Sequence, residues 1–183
     1  MKNRILAGLT VICLVLIACF WPGKDENIAK DADKKEAQAI TQAETESLAR
    51  NIILYDQAGK AHKIKDLYNK KPVYLLVWMP WSELSEQQLP VLETLYHQYG
   101  QRVYFVILSL GRDDTDVQSF LASHDYDLPF YTTDIENAAA YTISEVPESI
   151  MIGQYGQIRE RRQGCINQKE LSYMIEKGQQ GQN

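Results

Sequence analysis

The sequence predicts an α/β domain, a central mixed sheet flanked by helices, set behind an N-terminal signal or anchor segment and a solvated tether. Three observations carry this expectation. Val73–Trp78 and Val103–Leu108 are continuous apolar runs, the pattern of strands buried on both faces, as in a parallel sheet. Segments with apolar residues at helical spacing lie between and after them. Near the C-terminus, Ser149–Ile152 and Gln157–Arg162 flank Gln154-Tyr155-Gly156, a hairpin that brings antiparallel pairing into the same sheet.

The elements follow in chain order. Lys2 and Arg4 form a positive start, followed by an apolar run from Ile5 to Ile17 and then Ala18 and Cys19. That run has the length of a signal-peptide core and is shorter than the roughly 20 residues a membrane-spanning helix needs. Leu16-Ile17-Ala18-Cys19 resembles the lipobox of bacterial lipoproteins, which implies that Cys19 becomes the lipidated first residue of the mature chain. The alternative is an uncleaved anchor, with Phe20 and Trp21 at the interface. Either way residues 1–19 export the remainder of the chain, and the expected membrane contact is through the N-terminus. Residues 20–50 are rich in Lys, Asp, Glu, Ala and Gln and poor in large apolar side chains. Such a composition buries too little surface to offset its ordering entropy, so it reads as a charged tether.

The folded domain is expected over residues 51–178, with 179–183 as a tail. Ile52–Tyr55 reads as a strand, Asp56–Gly59 as a turn, and Ala61–Ile64 as extended chain, with Asp66 capping a short helical turn. Ser82 caps a helix carrying Leu84, Leu89, Val91, Leu92, Leu95 and Tyr99, which Gly100 ends. Asp113 and Asp114 open a second helix with Val117, Phe120 and Leu121. A short helix spans Ile135 to Tyr141. After the hairpin, Asn167 caps a last helix with Leu171, Met174 and Ile175.

At 183 residues the chain has room for one ordinary domain and an appendage. Its net charge of −5 argues against a nucleic-acid partner, which would call for a basic face. The basic cluster Arg159-Glu160-Arg161-Arg162 reads as a solvated strand end.

The segment Trp78-Met79-Pro80-Trp81-Ser82-Glu83-Leu84-Ser85 is the most informative. It resembles the active-site frame of membrane-tethered, thioredoxin-like proteins of the bacterial envelope (the TlpA type), in which a strand ending in Trp leads to a second Trp and a Cys-x-x-Cys opening a helix. Pro90 within the helix, Val146-Pro147 before the hairpin and Gly164 after the last strand match further landmarks. The resemblance covers Ile52 to Lys177 and implies a thioredoxin fold, with Pro147 as a cis-proline facing the helix start. It also implies a groove, formed here by Trp81, Ser82, Glu83, Leu84, Val146, Pro147 and Gly164, that accepts an extended peptide by backbone hydrogen bonds.

The family's chemistry does not carry over in the same way. Its first cysteine is activated as a thiolate at the helix N-terminus and attacks a disulfide, which the second cysteine resolves. Ser82 and Ser85 stand at those positions, and a hydroxyl undergoes no thiol–disulfide exchange. The family commonly places a buried carboxylate two residues before the strand's Trp, where this chain has Leu76. No catalytic residue is therefore expected at this site. A serine nucleophile would need a base, and His62, His97 and His124 all fall away from the landmarks, reading as surface histidines. No metal-ligand spacing and no phosphate-binding glycine loop is present, so neither a metal nor a cofactor is expected.

Cys165 remains as the lone thiol of the exported domain if Cys13 leaves with a signal peptide and Cys19 is lipidated. It is expected on the groove's rim beside Gly164, either as a one-cysteine site or as a partly buried bystander. Three functions follow: a binding module for a peptide or protein of the envelope, with exposed Trp81 and Tyr141 as contacts; residual chemistry through Cys165 or beside a redox-active partner; or a structural subunit of an envelope complex.

Overall fold

The computed structural model describes residues 48–112 and 115–180. The lipobox-like Cys19, the tether and the capping role of Asp113 and Asp114 lie outside the described residues. Seven strands form one sheet: β1 (Ile53–Asp56), β2 (Ala61–Lys63), β3 (Val73–Trp78), β4 (Tyr104–Leu110), β5 (Phe130–Thr133), β6 (Glu148–Ile152) and β7 (Ile158–Gln163). Their spatial order is β2-β1-β5-β4-β3-β6-β7. β3, β4 and β5 run parallel, while β1, β2, β6 and β7 pair antiparallel to their neighbours. The helices are α1 (Ile64–Tyr68), α2 (Glu83–Tyr99), α3 (Thr115–Ser123), α4 (Ile135–Ala138) and α5 (Gln168–Gln179). Short 3-10 turns follow α4 at Ala139–Tyr141 and join β6 to β7 at Gln154–Gly156.

β3 shows why its sequence is apolar throughout. Its side chains alternate faces, as the strand period of two requires. Tyr74, Leu76 and Trp78 pack beneath Leu89, Leu92 and Leu95 of α2 and Leu171, Met174 and Ile175 of α5. Val73, Leu75 and Val77 pack on the other face with Ile64 and Tyr68 of α1 and with Tyr141. Every residue of β3 is buried. Leu76, where the sequence resemblance implies a carboxylate, is part of the first of these two cores.

Several elements differ from the sequence expectation. β5 was not expected. Phe130-Tyr131-Thr132-Thr133 is too short and too polar to stand out, yet it lies between β4 and β1. α1 begins at Ile64, so Asp66 sits within its first turn and caps nothing. The folded chain starts before Asn51: Ala49 is buried and its N–H donates to Gly156 O at 2.7 Å, while Leu48 bridges Gln157. Tyr141 is buried, 4% exposed, with its hydroxyl donating to Arg50 O at 2.8 Å. It is therefore a core residue, not an exposed contact.

The basic cluster is also more than a solvated strand end. Arg161 Nε donates to the buried Glu148 Oε1 at 2.8 Å, and its Nη2 donates to Tyr141 O at 2.8 Å. Glu148 directly follows Pro147, so this pair ties the start of β6 to β7 and to the turn at Tyr141. Arg162 instead pairs with Glu160 near the surface. Removing Arg161 leaves a buried carboxylate without its cation, a loss of the kind that weighs heavily on stability. Arg161→Ala is expected to destabilise the domain by about 2–3 kcal/mol, discounted because the guanidinium is partly solvated, and Arg162→Ala by about 0.5 kcal/mol or less. Urea unfolding of the two variants checks this, and equal losses would remove Arg161 from its structural role.

Candidate functional site

The site forms where β3 ends and α2 begins. Ser82 has an extended backbone (φ −96°, ψ 110°), and its hydroxyl oxygen accepts the Ser85 N–H at 3.3 Å, a helix N-cap. The same hydroxyl donates to Val146 O at 3.2 Å. A serine hydroxyl has one proton and two lone pairs, so Ser82 caps the helix and ties it to the loop before Pro147 at once. Ser85 is fully buried, and its hydroxyl accepts the Met79 N–H at 3.4 Å. With Ser82 N–H donating to Met79 O at 3.1 Å, the segment from Met79 to Ser85 is a closed turn.

The opposite wall is the loop into β6. The Val146–Pro147 peptide bond is cis. Pro147 O accepts the Gly164 N–H at 2.8 Å, which draws the end of β7 alongside. Gly164 has φ +80°, a left-handed conformation that glycine adopts without strain. The structure thus brings Ser82, Ser85, Val146, Pro147 and Gly164 to one end of the sheet. Pro147 is buried there, and Val146 is half-buried. Trp81 projects from the turn, 71% exposed, with Leu84 beside the helix start at 48%. Glu83 is exposed, and its Oε1 accepts Gln87 Nε2 at 3.1 Å along the helix.

Cys165 is exposed, which sets aside the expectation of a partly buried thiol. Its neighbours hold it in place. Gly164 is bonded to Pro147, and Ile166 is gripped by Gln88, a residue that sequence reasoning missed. Gln88 is fully buried in α2; its Oε1 accepts the Ile166 N–H at 2.6 Å and its Nε2 donates to Ile166 O at 3.1 Å. The only hint in the sequence was a Gln one residue before Leu89 on the helix's apolar face. Beneath this segment Tyr74 donates to or accepts from Ser149 Oγ at 2.7 Å, and burial pushes its hydroxyl far above the usual tyrosine range.

The histidines lie elsewhere. His62 Nε2 is 2.7 Å from Asp56 Oδ2, a hydrogen bond that holds the Asp56 carboxyl below its usual range. His97 is 3.8 Å from Asp127. His124 stacks on Phe120 at 4.1 Å and is 3.8 Å from Glu86. None bonds to either serine hydroxyl. Among the described residues no group of His, Cys, Asp and Glu is placed to hold a metal ion.

Comparison with known proteins agrees with this architecture. A family model described as Thioredoxin-like matches residues 69–158. The thiol-disulfide oxidoreductase ResA of Bacillus cereus is 26% identical over 179 residues, covering 96% of this chain and 97% of the relative. The solved structure of the exposed lipoprotein thioredoxin of Streptococcus pneumoniae superposes with a TM-score of 0.62 at 18% identity, covering 69% of this chain and 98% of that one. StoA of Bacillus subtilis gives 0.60 at 17% identity, over 70% of this chain and 98% of that one. The mixed sheet flanked by helices is a thioredoxin fold.

Gln88→Leu keeps the side chain's bulk and leaves both backbone groups of Ile166 unpaired. The expected loss is about 2 kcal/mol of stability, with faster amide exchange localised at Ile166. Unfolding together with hydrogen exchange tests this, and an unchanged rate at Ile166 would mean that the clamp holds nothing.

Proposed function

From its thioredoxin-like domain, homologous to the ResA-type thiol-disulfide oxidoreductases, we propose that this chain is an envelope binding protein, tethered to the membrane by its N-terminus, that holds an extended peptide or protein segment in the groove beside Ser82 without exchanging thiols there. The observation that carries the reading is the fate of the two hydroxyls. Ser82 and Ser85 are engaged as helix cap, loop tie and turn acceptor, and neither has a base in contact to make it a nucleophile. Leu76 supports the same reading, because a groove without a thiol has no use for a buried proton acceptor.

What remains at this end is suited to binding. Trp81 and Leu84 offer apolar surface beside the Val146-Pro147 loop, whose carbonyls are held by Ser82 and Gly164. The N-terminal charge, apolar run and Cys19 support the membrane tether. Among the described residues no helix is long and apolar enough to cross a membrane.

A second reading has one observation in its favour: Cys165 is exposed and pinned on both sides next to Pro147. Its thiolate would attack a partner disulfide, form one mixed disulfide and release the partner's other sulfur as thiolate.

The purified protein is expected to show no insulin reduction with dithiothreitol as electron source beyond the uncatalysed rate. Activity that survives Cys165→Ser would overturn the assignment of the serine site. Activity abolished by Cys165→Ser would establish the second reading instead. A pull-down from solubilised membranes is expected to lose its bound protein in Trp81→Ala, with unfolding curves showing that the variant is intact. Capture undiminished by Trp81→Ala and by Leu84→Ala would place the partner outside the groove.

A further inference from the structure

The register of the sheet fixes which residues share an end. Val73 of β3 lies beside Tyr104 of β4 and Ile152 of β6. The starts of β3 and β4 and the β6–β7 turn are therefore together. The end of α5 joins them, because Gly178 sits against the Met151 side chain. The chain enters the folded domain at this same end, where Ala49 bonds to Gly156 and Leu48 bridges Gln157. The groove is at the other end: Trp78, Pro147 and Gly164 stand where β3 finishes, β6 starts and β7 finishes.

The two ends differ in charge. Around the point where the chain joins lie Lys70, Lys71, Arg102, Arg159 and Lys177. Lys71 Nζ donates to Gln101 O at 2.7 Å, and the Arg102 guanidinium lies 5.1 Å over the Tyr99 ring, so these cations are held at the surface. Two carboxylates are nearby: Glu176 accepts the Tyr99 hydroxyl at 2.7 Å, and Asp66 lies on α1. Asp125 and Asp127 precede β5, which neighbours β4 on the side away from β6 and β7. The groove end carries exposed Glu83, Glu86 and Glu145, while its arginines Arg161 and Arg162 are paired with Glu148 and Glu160. Two exposed apolar side chains flank the basic end, Tyr155 at 70% and Leu48 at 46%.

We propose that this basic end docks on an anionic lipid surface, so that the serine groove faces away from the membrane. The proposal rests on the membrane tether described above, and the position of the join is what selects lipid as the occupant. A tether attached beside Leu48 keeps this end of the domain at high effective concentration near the bilayer, so weak contacts suffice. Lys and Arg within a Debye length are attracted to the negative surface of a membrane containing acidic lipids. Tyr155 can settle at the interface, where its amphipathic ring is favoured. The carboxylates of the groove end are repelled by the same surface, which adds an orienting torque.

The test uses the full chain bound to vesicles of phosphatidylcholine alone or of phosphatidylcholine with phosphatidylglycerol, followed by flotation and by amine acylation read residue by residue by mass spectrometry. The expected result is flotation with both vesicles. Acylation of Lys70, Lys71 and Lys177 should fall several-fold only where phosphatidylglycerol is present, while Lys169, at the start of α5, reacts alike on both. In the K70E/R102E/K177E variant flotation should persist and the protection of Lys71 should vanish. Flotation with identical acylation on both vesicles would overturn the docking and leave the tether standing. Protection of Lys71 that survives the charge reversals would overturn the electrostatic basis. Failure to float with either vesicle would remove the tether, and the docking with it.

Discussion

The hydroxyl of Ser82 is used twice, and much of the site depends on that double use. As an acceptor it closes the N-terminus of α2 over the Ser85 N–H; as a donor it reaches Val146 O across the groove. The first contact fixes where the helix starts relative to β3, whose end is buried on both faces and leaves the chain no latitude. The second fixes the distance between that helix and the loop that introduces β6. A side chain that only accepted, or only donated, would hold one of these walls and release the other.

From this contact the restraints pass along the wall. Pro147 O receives the Gly164 N–H, Glu148 receives Arg161, and Arg161 reaches back to Tyr141 O. Gln88 then joins α2 to the segment beyond Gly164 through two bonds to Ile166. The chain from Val146 to Ile166 is thus tied to α2 and its cap at two separated points, with Cys165 between the second tie and Gly164. These restraints are polar contacts in or next to the core, where an unsatisfied group costs more than the bond itself contributes. Removing one partner therefore disturbs more than its immediate neighbour.

Much of this architecture was legible in the sequence, for physical reasons. β3 and β4 announce themselves because a strand covered on both faces has no place for polar residues. Ser82 and Asn167 stand where a helix needs a cap, and both bond as caps, to Ser85 and Glu170 respectively. β5 was missed because four residues ending in Thr-Thr carry little pattern; its pairing with β4 and β1, which sequence periodicity does not contain, holds it in place. The burial of Tyr141 is not legible because an aromatic at the end of a short helical segment gives no sign of which side it faces. Gln88 left only a faint trace, a Gln on an apolar helix face, and the Glu148–Arg161 pair left none, for a related reason. Their roles are long-range hydrogen bonds between polar residues, and neither composition nor spacing marks a polar residue that is going to be buried.

The substitution of serine at the helix start also changes what the groove can respond to. A thiol there would titrate, and its thiolate could accept but not donate, so the contact to Val146 O would be lost whenever the group became reactive. Reactivity and a permanently tied loop are thus in competition at this one position. A hydroxyl keeps its proton throughout the physiological pH range, so the Ser82–Val146 contact does not switch with pH or with redox conditions. On the proposed reading this is the gain that accompanies the lost chemistry: a groove whose two walls are held at a fixed separation and whose shape is set by packing and neutral hydrogen bonds. Fewer residues then need ordering when a peptide is bound, which lowers the entropic cost of association. On that reading affinity would come from the exposed Trp81 and Leu84. It does not depend on a covalent bond that must later be resolved.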